Sequence, residues 1–367
     1  MHRSRLTFLL CASAPLFAQA QSPVAIFGVV DAGAGRISTT GTGHASGLLT
    51  GGNGTSRLGF RGSEDLGSGY SAGFHLEGEL QTDTGNANGL NFMRRSTVSL
   101  SGPMGEIRMG RDFAPSYLSM SLYDVYGQRG FGFVENYGPT AGVMTSGGST
   151  FSYIRTSNSV AYFLPAGALN GTVQYAFGER NSQTATTAAN SSKQGNYMGG
   201  RLGYASGRLD VGASYGVFHD VSWAAAYVAD YTVANVGGSY NFGVVKLLVL
   251  VQSESMSGRA GQAGFRFNTY SLGASMPVGG GVVRANCSRY DNKTAGQSDR
   301  DARKFALGYI YHLSRRTALY ADVARVSNSG AAAFGIGNIG GSISGAAAVP
   351  VAGGRATGYA AGLRHIF

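Results

Sequence analysis

Ten basic residues of this chain fall at positions that alternate with apolar neighbours: Arg57, Arg61, Arg95, Arg108, Arg155, Arg201, Lys246, Arg284, Lys304 and Arg364. Five acids, Asp31, Glu77, Glu79, Asp210 and Asp322, fall in the same alternation. A guanidinium stays ionised at ordinary pH and offers phosphate or carboxylate a planar fork of donors. An excess of such groups on one face would hold or pass anions. Reaction chemistry finds no comparable foothold. The six histidines are scattered and make no metal-ligand spacing. There is no G-x-S-x-G nucleophile elbow. Gly335-Ile336-Gly337-Asn338-Ile339-Gly340 matches G-x-G-x-x-G by letter, but it lies in a Gly/Ala/Ser stretch with no strand before it and no helix after it. No cofactor, metal or enzymatic activity is expected. The formal net charge of +10 would suit a nucleic acid. No basic stripe accompanies it, so no nucleic-acid partner is expected.

The elements that carry these charges read as strands. Arg57, Gly59 and Arg61 share one parity, and Leu58 and Phe60 the other. His75, Glu77 and Glu79 oppose Phe74, Leu76 and Leu80, and Arg95, Thr97 and Ser99 oppose Val98 and Leu100. Arg284, Asn286 and Ser288 oppose Val283, Ala285 and Cys287. Period-two alternation of this kind belongs to a β-strand with two different surroundings. Sixteen such segments begin near residues 24, 55, 70, 95, 106, 156, 169, 196, 208, 231, 244, 267, 281, 303, 317 and 355. Each is about 9–12 residues, the length that crosses a bilayer when tilted.

Connections alternate between short and long. Glu64–Gly69, Gly102–Gly105, Ala205–Gly207 and Ser314–Arg316 are short; Ile37–Gly54, Asp112–Arg155, Arg180–Gly195 and Ser327–Gly354 are long. Short turns on one side and long loops on the other mark a transmembrane β-barrel. Lipid offers no partner to an unpaired backbone group, so the sheet must close. The apolar face then meets lipid, because an Arg at the midplane of such a barrel costs about 2–4 kcal/mol. The charged face lines the inside, and sixteen strands leave room for water there.

Composition agrees. Glycine supplies 59 of 367 residues, tyrosine 20 and phenylalanine 19, while charged residues are 13%. The longest aliphatic run, Val244–Val251, is interrupted by Lys246 and is far short of the roughly 20 residues of a spanning helix. Residues 1–20 read as a signal peptide, with Arg3 and Arg5 before an apolar stretch and Ala18-Gln19-Ala20 as the cleavage site. Residues 21–367 form the barrel. Only Cys287 remains after cleavage, which excludes an intramolecular disulfide.

An ordered set of motifs carries a resemblance. Ile26-Phe27-Gly28-Val29-Val30-Asp31-Ala32-Gly33 follows the cleavage site, then Ser56-Arg57-Leu58-Gly59-Phe60-Arg61-Gly62-Ser63-Glu64-Asp65-Leu66-Gly67. Arg94-Arg95-Ser96-Thr97-Val98-Ser99-Leu100, Gly110-Arg111 and Arg155-Thr156-Ser157-Asn158-Ser159-Val160-Ala161-Tyr162 come next, and the chain ends Gly362-Leu363-Arg364-His365-Ile366-Phe367. The sequence resembles the general porins of Gram-negative β-proteobacteria, of the Neisseria, Bordetella and Burkholderia type, along its whole length. The resemblance implies an all-β, 16-stranded antiparallel outer-membrane barrel with its third long loop folded into the lumen. It implies a homotrimer in outer-membrane lipid, and a terminal Phe367 read by the β-barrel assembly machinery. For the anion-selective members it implies a wall cluster that maps onto Arg57 or Arg61, Arg95 and Arg155. The third loop, Asp112–Ile154, lacks the family's Pro-Glu-Phe-Gly signature and carries Asp112, Asp124 and Glu135 as acids and Arg129 as a base.

These readings converge on a water-filled channel for passive diffusion of small hydrophilic solutes, mildly favouring anions. A channel specific for phosphate or an organic anion, and a surface adhesin with a closed barrel, are the alternatives. Tyr123, Tyr126, Phe131, Phe133 and Tyr137 crowd the third loop and are expected to pin it against the wall. Tyr309, Tyr311, Tyr359 and Phe367 are expected in the aromatic girdles.

Overall fold

The computed structural model describes residues 24–85, 91–135, 152–178, 193, 195–223, 227–256, 264–296, 299–337, 343 and 349–367. Residues 1–20, expected as a signal peptide, and Tyr137 lie outside these residues. Seventeen strand segments and one helix follow in chain order: β1 (Val24–Thr39), β2 (Gly43–Thr50), β3 (Arg57–Gly67), β4 (Tyr70–Glu79), β5 (Arg95–Gly102), β6 (Gly105–Phe113), α1 (Pro115–Tyr123), β7 (Arg155–Phe163), β8 (Leu169–Ala176), β9 (Tyr197–Ser206), β10 (Leu209–Trp223), β11 (Tyr227–Asn241), β12 (Lys246–Met256), β13 (Phe265–Val278), β14 (Gly281–Asn292), β15 (Ala302–His312), β16 (Thr317–Asn328) and β17 (Arg355–Ile366).

Successive strands pair antiparallel, except β2 and β3, which both pair with β1, and β1 closes the ring on β17 from Val29↔Ile366 to Thr39↔Ala356. The seventeen segments make sixteen staves. β2 pairs with the loop-end half of β1, and β3 with its turn-end half. Together they are one stave broken at residues 51–56. Sequence reading placed a long loop at Ile37–Gly54; the structure replaces it with a tight β1–β2 hairpin that turns at Thr40–Thr42. The Gly-rich composition that suggested a loop serves instead the interruption at Gly51-Gly52-Asn53-Gly54.

That interruption wraps a carboxylate. Asp31 accepts the backbone N–H groups of Gly52, Asn53 and Gly54 at 3.1, 2.8 and 2.7 Å, and the Tyr320 hydroxyl donates to it at 2.8 Å. Ser56 bonds both backbone groups of Asp31. Backbone donors freed from the ladder thus find an ionised acceptor, the stronger kind of partner.

Burial is inverted relative to a water-soluble protein. Leu100, Val173, Leu202, Val249, Leu272, Phe305 and Leu307 are exposed, while Thr97, Gln174, Asn235, Gln252, Asn286 and Lys304 are buried. The apolar parity faces outward and the polar parity inward, as lipid requires. Cys287 is a free thiol on the outer face. β12 departs from simple alternation, since Leu248 and Leu250 are buried on its inward face. They lie where α1 packs against β8–β12.

The segment 114–135 is fastened to inward-facing side chains. Asn235 donates to the Ser116 carbonyl at 2.9 Å and Asn286 to the Gly132 carbonyl at 2.8 Å. Two wall glycines permit the close approach. A Cβ at Gly237 would sit 2.3 Å from the Tyr123 ring, and one at Gly273 would sit 2.8 Å from Val125. Tyr123, Tyr126, Phe131 and Phe133 are buried; they pin this segment, as expected.

Candidate functional site

The strands present their inward charges in three groups. The first gathers on β3, β5, β7, β17 and the segment after α1. Arg57 opens β3 and donates to the Thr55 carbonyl at 3.1 Å; its Nε lies 3.5 Å from Glu77. Arg94, the residue before β5, reaches Glu77 at 2.6 Å and Glu79 at 3.3 Å. Arg57 lies within electrostatic reach of Arg94, Arg129 and Arg364, and Arg155 within reach of Arg94. Arg155 stacks over the Phe113 ring at 4.3 Å, and Phe113 in turn stacks on Tyr117. Five guanidiniums therefore share this region with two carboxylates, Glu77 and Glu79. Asp31 lies beside Arg364 in register, but its oxygens are occupied by the interrupted stave.

The second group is balanced. Asp112 accepts from Arg108 at 2.7 Å and lies 3.4 Å from Arg95, while Glu106 forms a fork with Arg108 at 2.9 Å. Two bases meet two acids. Sequence reading placed Asp112 in the third loop; the structure sets it inside β6 (Gly105–Phe113), and the loop starts at Ala114. The Gly110 bulge that shifts the β6–β7 register hid this boundary.

The third group fastens the loop. Lys304 donates to Glu135 at 2.6 Å and to the Phe133 carbonyl at 2.8 Å, and the Gly337 N–H also reaches Glu135. Arg284 Nη2 donates to both carboxylate oxygens of Asp322, at 3.0 and 3.1 Å, beneath the Tyr126 ring. Arg201 donates to the Tyr123 hydroxyl, which donates to Asp210 at 3.0 Å. These bases spend their charge on the scaffold.

The loop's own acids do the same. Asp124 ends α1 and accepts from the backbone N–H of Tyr126, Gln128 and Val134 and from the Gln128 amide. Burial pushes its pKa up against these donors. Burial also raises Glu135, against the pull of Lys304. Arg129 differs. It belongs to the first group, and burial together with Arg94 holds its pKa below the usual guanidinium value. The loop thus delivers a base, not an acid, to the arginine cluster.

Of the expected residues, the structure brings Arg57, Arg155 and Arg129 together. Arg95 belongs to the balanced group. Arg61 lies nearer the short turns, over Phe27 at 5.1 Å. With His75 and Arg95 it lines a pocket of about 360 Å³. Arg94 and Arg364 complete the cluster. Both stand in the quoted motifs, and Arg364 in the expected polar alternation. Nothing in their spacing shows that four strands and the segment after α1 converge.

The inverted barrel with its charged interior defines a membrane channel. Comparison gives the same class: the Gram-negative porin family matches residues 6–331, and the chain belongs to that family. It is 40% identical over 353 residues to outer membrane porin protein 32 of Delftia acidovorans, covering 95% of each chain. It is 28% identical to an outer membrane porin protein of Bordetella pertussis, over 88% of this chain and 93% of that one. Among solved structures, the anion-selective porin from Comamonas acidovorans superposes with a TM-score of 0.83 at 37% identity, over 95% of this chain and all of the other. The protein is an outer-membrane porin.

Proposed function

We propose that this porin passes small hydrophilic solutes by diffusion and favours anions. One observation carries the reading: among the described residues, Arg57, Arg94, Arg129, Arg155 and Arg364 gather around Glu77 and Glu79, while Asp31 and the third-loop acids Asp124 and Glu135 are tied into the scaffold. The loop narrows the lumen opposite these residues, a reading supported by its bonds to inward side chains on β11, β14 and β15. At physiological salt the Debye length is about 8 Å, so a solute in a narrow passage feels these charges and few others. Each unit of net charge is worth about 1 kcal/mol at 4 Å in water, which enriches anions roughly fivefold. That makes a preference rather than a filter. The 37% identity to a porin described as anion-selective supports the sign.

The remaining assignments follow the family resemblance: a homotrimer, with Phe367 as the signal to the assembly machinery. Phe367 exchanges backbone hydrogen bonds with Gly28 and leaves its ring partly exposed, which supports a role at the closing seam.

The test is the reversal potential of the purified protein in a planar bilayer under a KCl gradient. A sign favouring chloride is expected. A sign favouring potassium overturns the proposal.

A further inference from the structure

Toward the short turns, the inner wall holds a cavity that lies outside the arginine cluster. It is the pocket of about 360 Å³ between Arg61, His75 and Arg95, on the inward parity of β3, β4 and β5. Cross-strand register builds it. Arg61, His75 and Thr97 stand opposite one another in one row, and Ser63, Gly73 and Ser99 in the next. Ser71 and Ser101 pair one step nearer the turns. The small residues make the floor. A Cβ at Gly73 would lie 3.2 Å from the Ser99 hydroxyl, so a larger residue there would fill the space.

The polar groups around this floor are largely unspent. Among the described residues, Arg61 has no hydrogen bond and no ion pair; its guanidinium rests on the Phe27 ring at 5.1 Å. Arg95 turns Nε toward Thr97 at 3.3 Å and Asp112 at 3.4 Å, and neither of its Nη groups has a partner among those residues. His75 points Nε2 at Glu77, 3.6 Å away, and leaves Nδ1 without a partner there. No side-chain hydrogen bond engages the hydroxyls of Ser63, Ser71, Ser99 or Ser101 among the described residues.

This inventory differs in kind from the arginine cluster. Two guanidiniums at the edge suit a phosphoryl group, which they can grip through forked hydrogen bonds. A halide or a bare phosphate would need those donors alone. Four hydroxyls and an imidazole both donate and accept, and a polyol, whose own hydroxyls do the same, would satisfy them. Size points the same way. Pockets that take small organic molecules begin at about 300 Å³, and inorganic phosphate would leave most of this one to water.

We propose that this pocket binds a small phosphorylated polyol of the sugar-phosphate class. The phosphate is seated on Arg61 and Arg95, and the sugar hydroxyls lie against Ser63, Ser71, Ser99 and His75. Passage of such a solute is then saturable, while chloride passes without using the site. The pocket is separate from the residues that carry the anion preference, and its occupancy does not depend on the sign of that preference.

The experiment titrates glucose 6-phosphate, glucose and inorganic phosphate into the purified, folded porin by isothermal calorimetry. Glucose 6-phosphate is expected to bind at least about tenfold more tightly than either of the others, roughly the factor that one hydrogen bond to a charged group supplies. Arg61→Gln should weaken it by a similar factor. The double variant Ser63→Ala, Ser99→Ala should weaken glucose 6-phosphate severalfold and leave inorganic phosphate as it was. Inorganic phosphate bound as tightly as glucose 6-phosphate by the unaltered protein overturns the proposal, and this arm decides even if no variant folds. So does binding that falls with Arg155→Gln but not with Arg61→Gln, which would put the ligand in the arginine cluster. The reversal potential under KCl reads the cluster alone, so the two proposals fail independently.

Discussion

Glu135 and Lys304 stand 169 residues apart in the chain and meet at 2.6 Å with both head groups shut off from water. The pair joins the middle of the third loop to the wall at β15. Removing one partner of such a buried pair strands the other charge, at a cost of about 3–5 kcal/mol. The barrel has sixteen staves to hold it, so the cost falls on the loop. Lys304→Met is expected to leave heat resistance on gels nearly intact while single-channel records become noisier and shift in conductance. Quiet records indistinguishable from the parent would show that the latch is not what positions the loop.

Charge reversal separates the cluster from the rest of the wall. Arg129→Glu changes the cluster by two units, and at about 1 kcal/mol per unit in water it should lower the chloride-to-potassium ratio by well over tenfold. Arg61→Glu makes the same change nearer the short turns and should move the ratio much less. Reversal potentials measured side by side decide it.

The dependence on pH follows from the same residues. Arg129 is held below its ordinary value by burial, and a cation so shifted loses its charge only as pH rises through that lowered value. The anion preference should therefore be flat around neutrality and weaken only in strong alkali. On the acid side the guanidiniums stay charged, and protonation of wall carboxylates can only strengthen the preference. A preference that falls between pH 7 and pH 5 would contradict this assignment of charges.

Asp31→Asn tests the interrupted stave. Three backbone N–H groups and the Tyr320 hydroxyl converge on that carboxylate, and loss of charge-assisted bonds costs about 1–3 kcal/mol. A Cβ at Gly130 would lie 2.5 Å from the Gly52 carbonyl, so the third loop rests on this stave. The variant should unfold at lower temperature and show altered conductance. Tyr320→Phe removes one bond and should do the same to a smaller degree. Thermal unfolding of both, followed by circular dichroism, checks the order.

Gly237→Val places a side chain where Tyr123 now lies. Overpacking of this kind costs about 1–3 kcal/mol, and α1 can yield more easily than β11. The expected result is a folded barrel with changed conductance; an unfolded one would show that the wall gives way first.

Much of the architecture could be read from residue order alone. The expected strand starts fall within a few residues of those in the structure, because lipid outside and water inside impose a strict period of two. The parity of Arg57 and Leu58, or of Arg284 and Ala285, states which side each faces without reference to any other strand. The same local logic failed at Ile37–Gly54, where glycine meant an interruption around Asp31 rather than a loop. It failed at Asp112 because a bulge obscured the end of β6. At Leu248 and Leu250 the alternation gives way to a contact with α1, some 130 residues earlier in the chain.

The sequence by itself determined the closed barrel, its inside and its outside, because each of these depends on a residue and its near neighbours. The tertiary structure decided which charges remain available. Lys304, Arg284 and Arg108 read like Arg57 and Arg155 in the sequence, yet the first three are neutralised by Glu135, Asp322 and Asp112. Those partners are chosen by curvature and by the path of the third loop. Net charge at a point is a sum over everything within a Debye length, and only the folded chain says what lies within it.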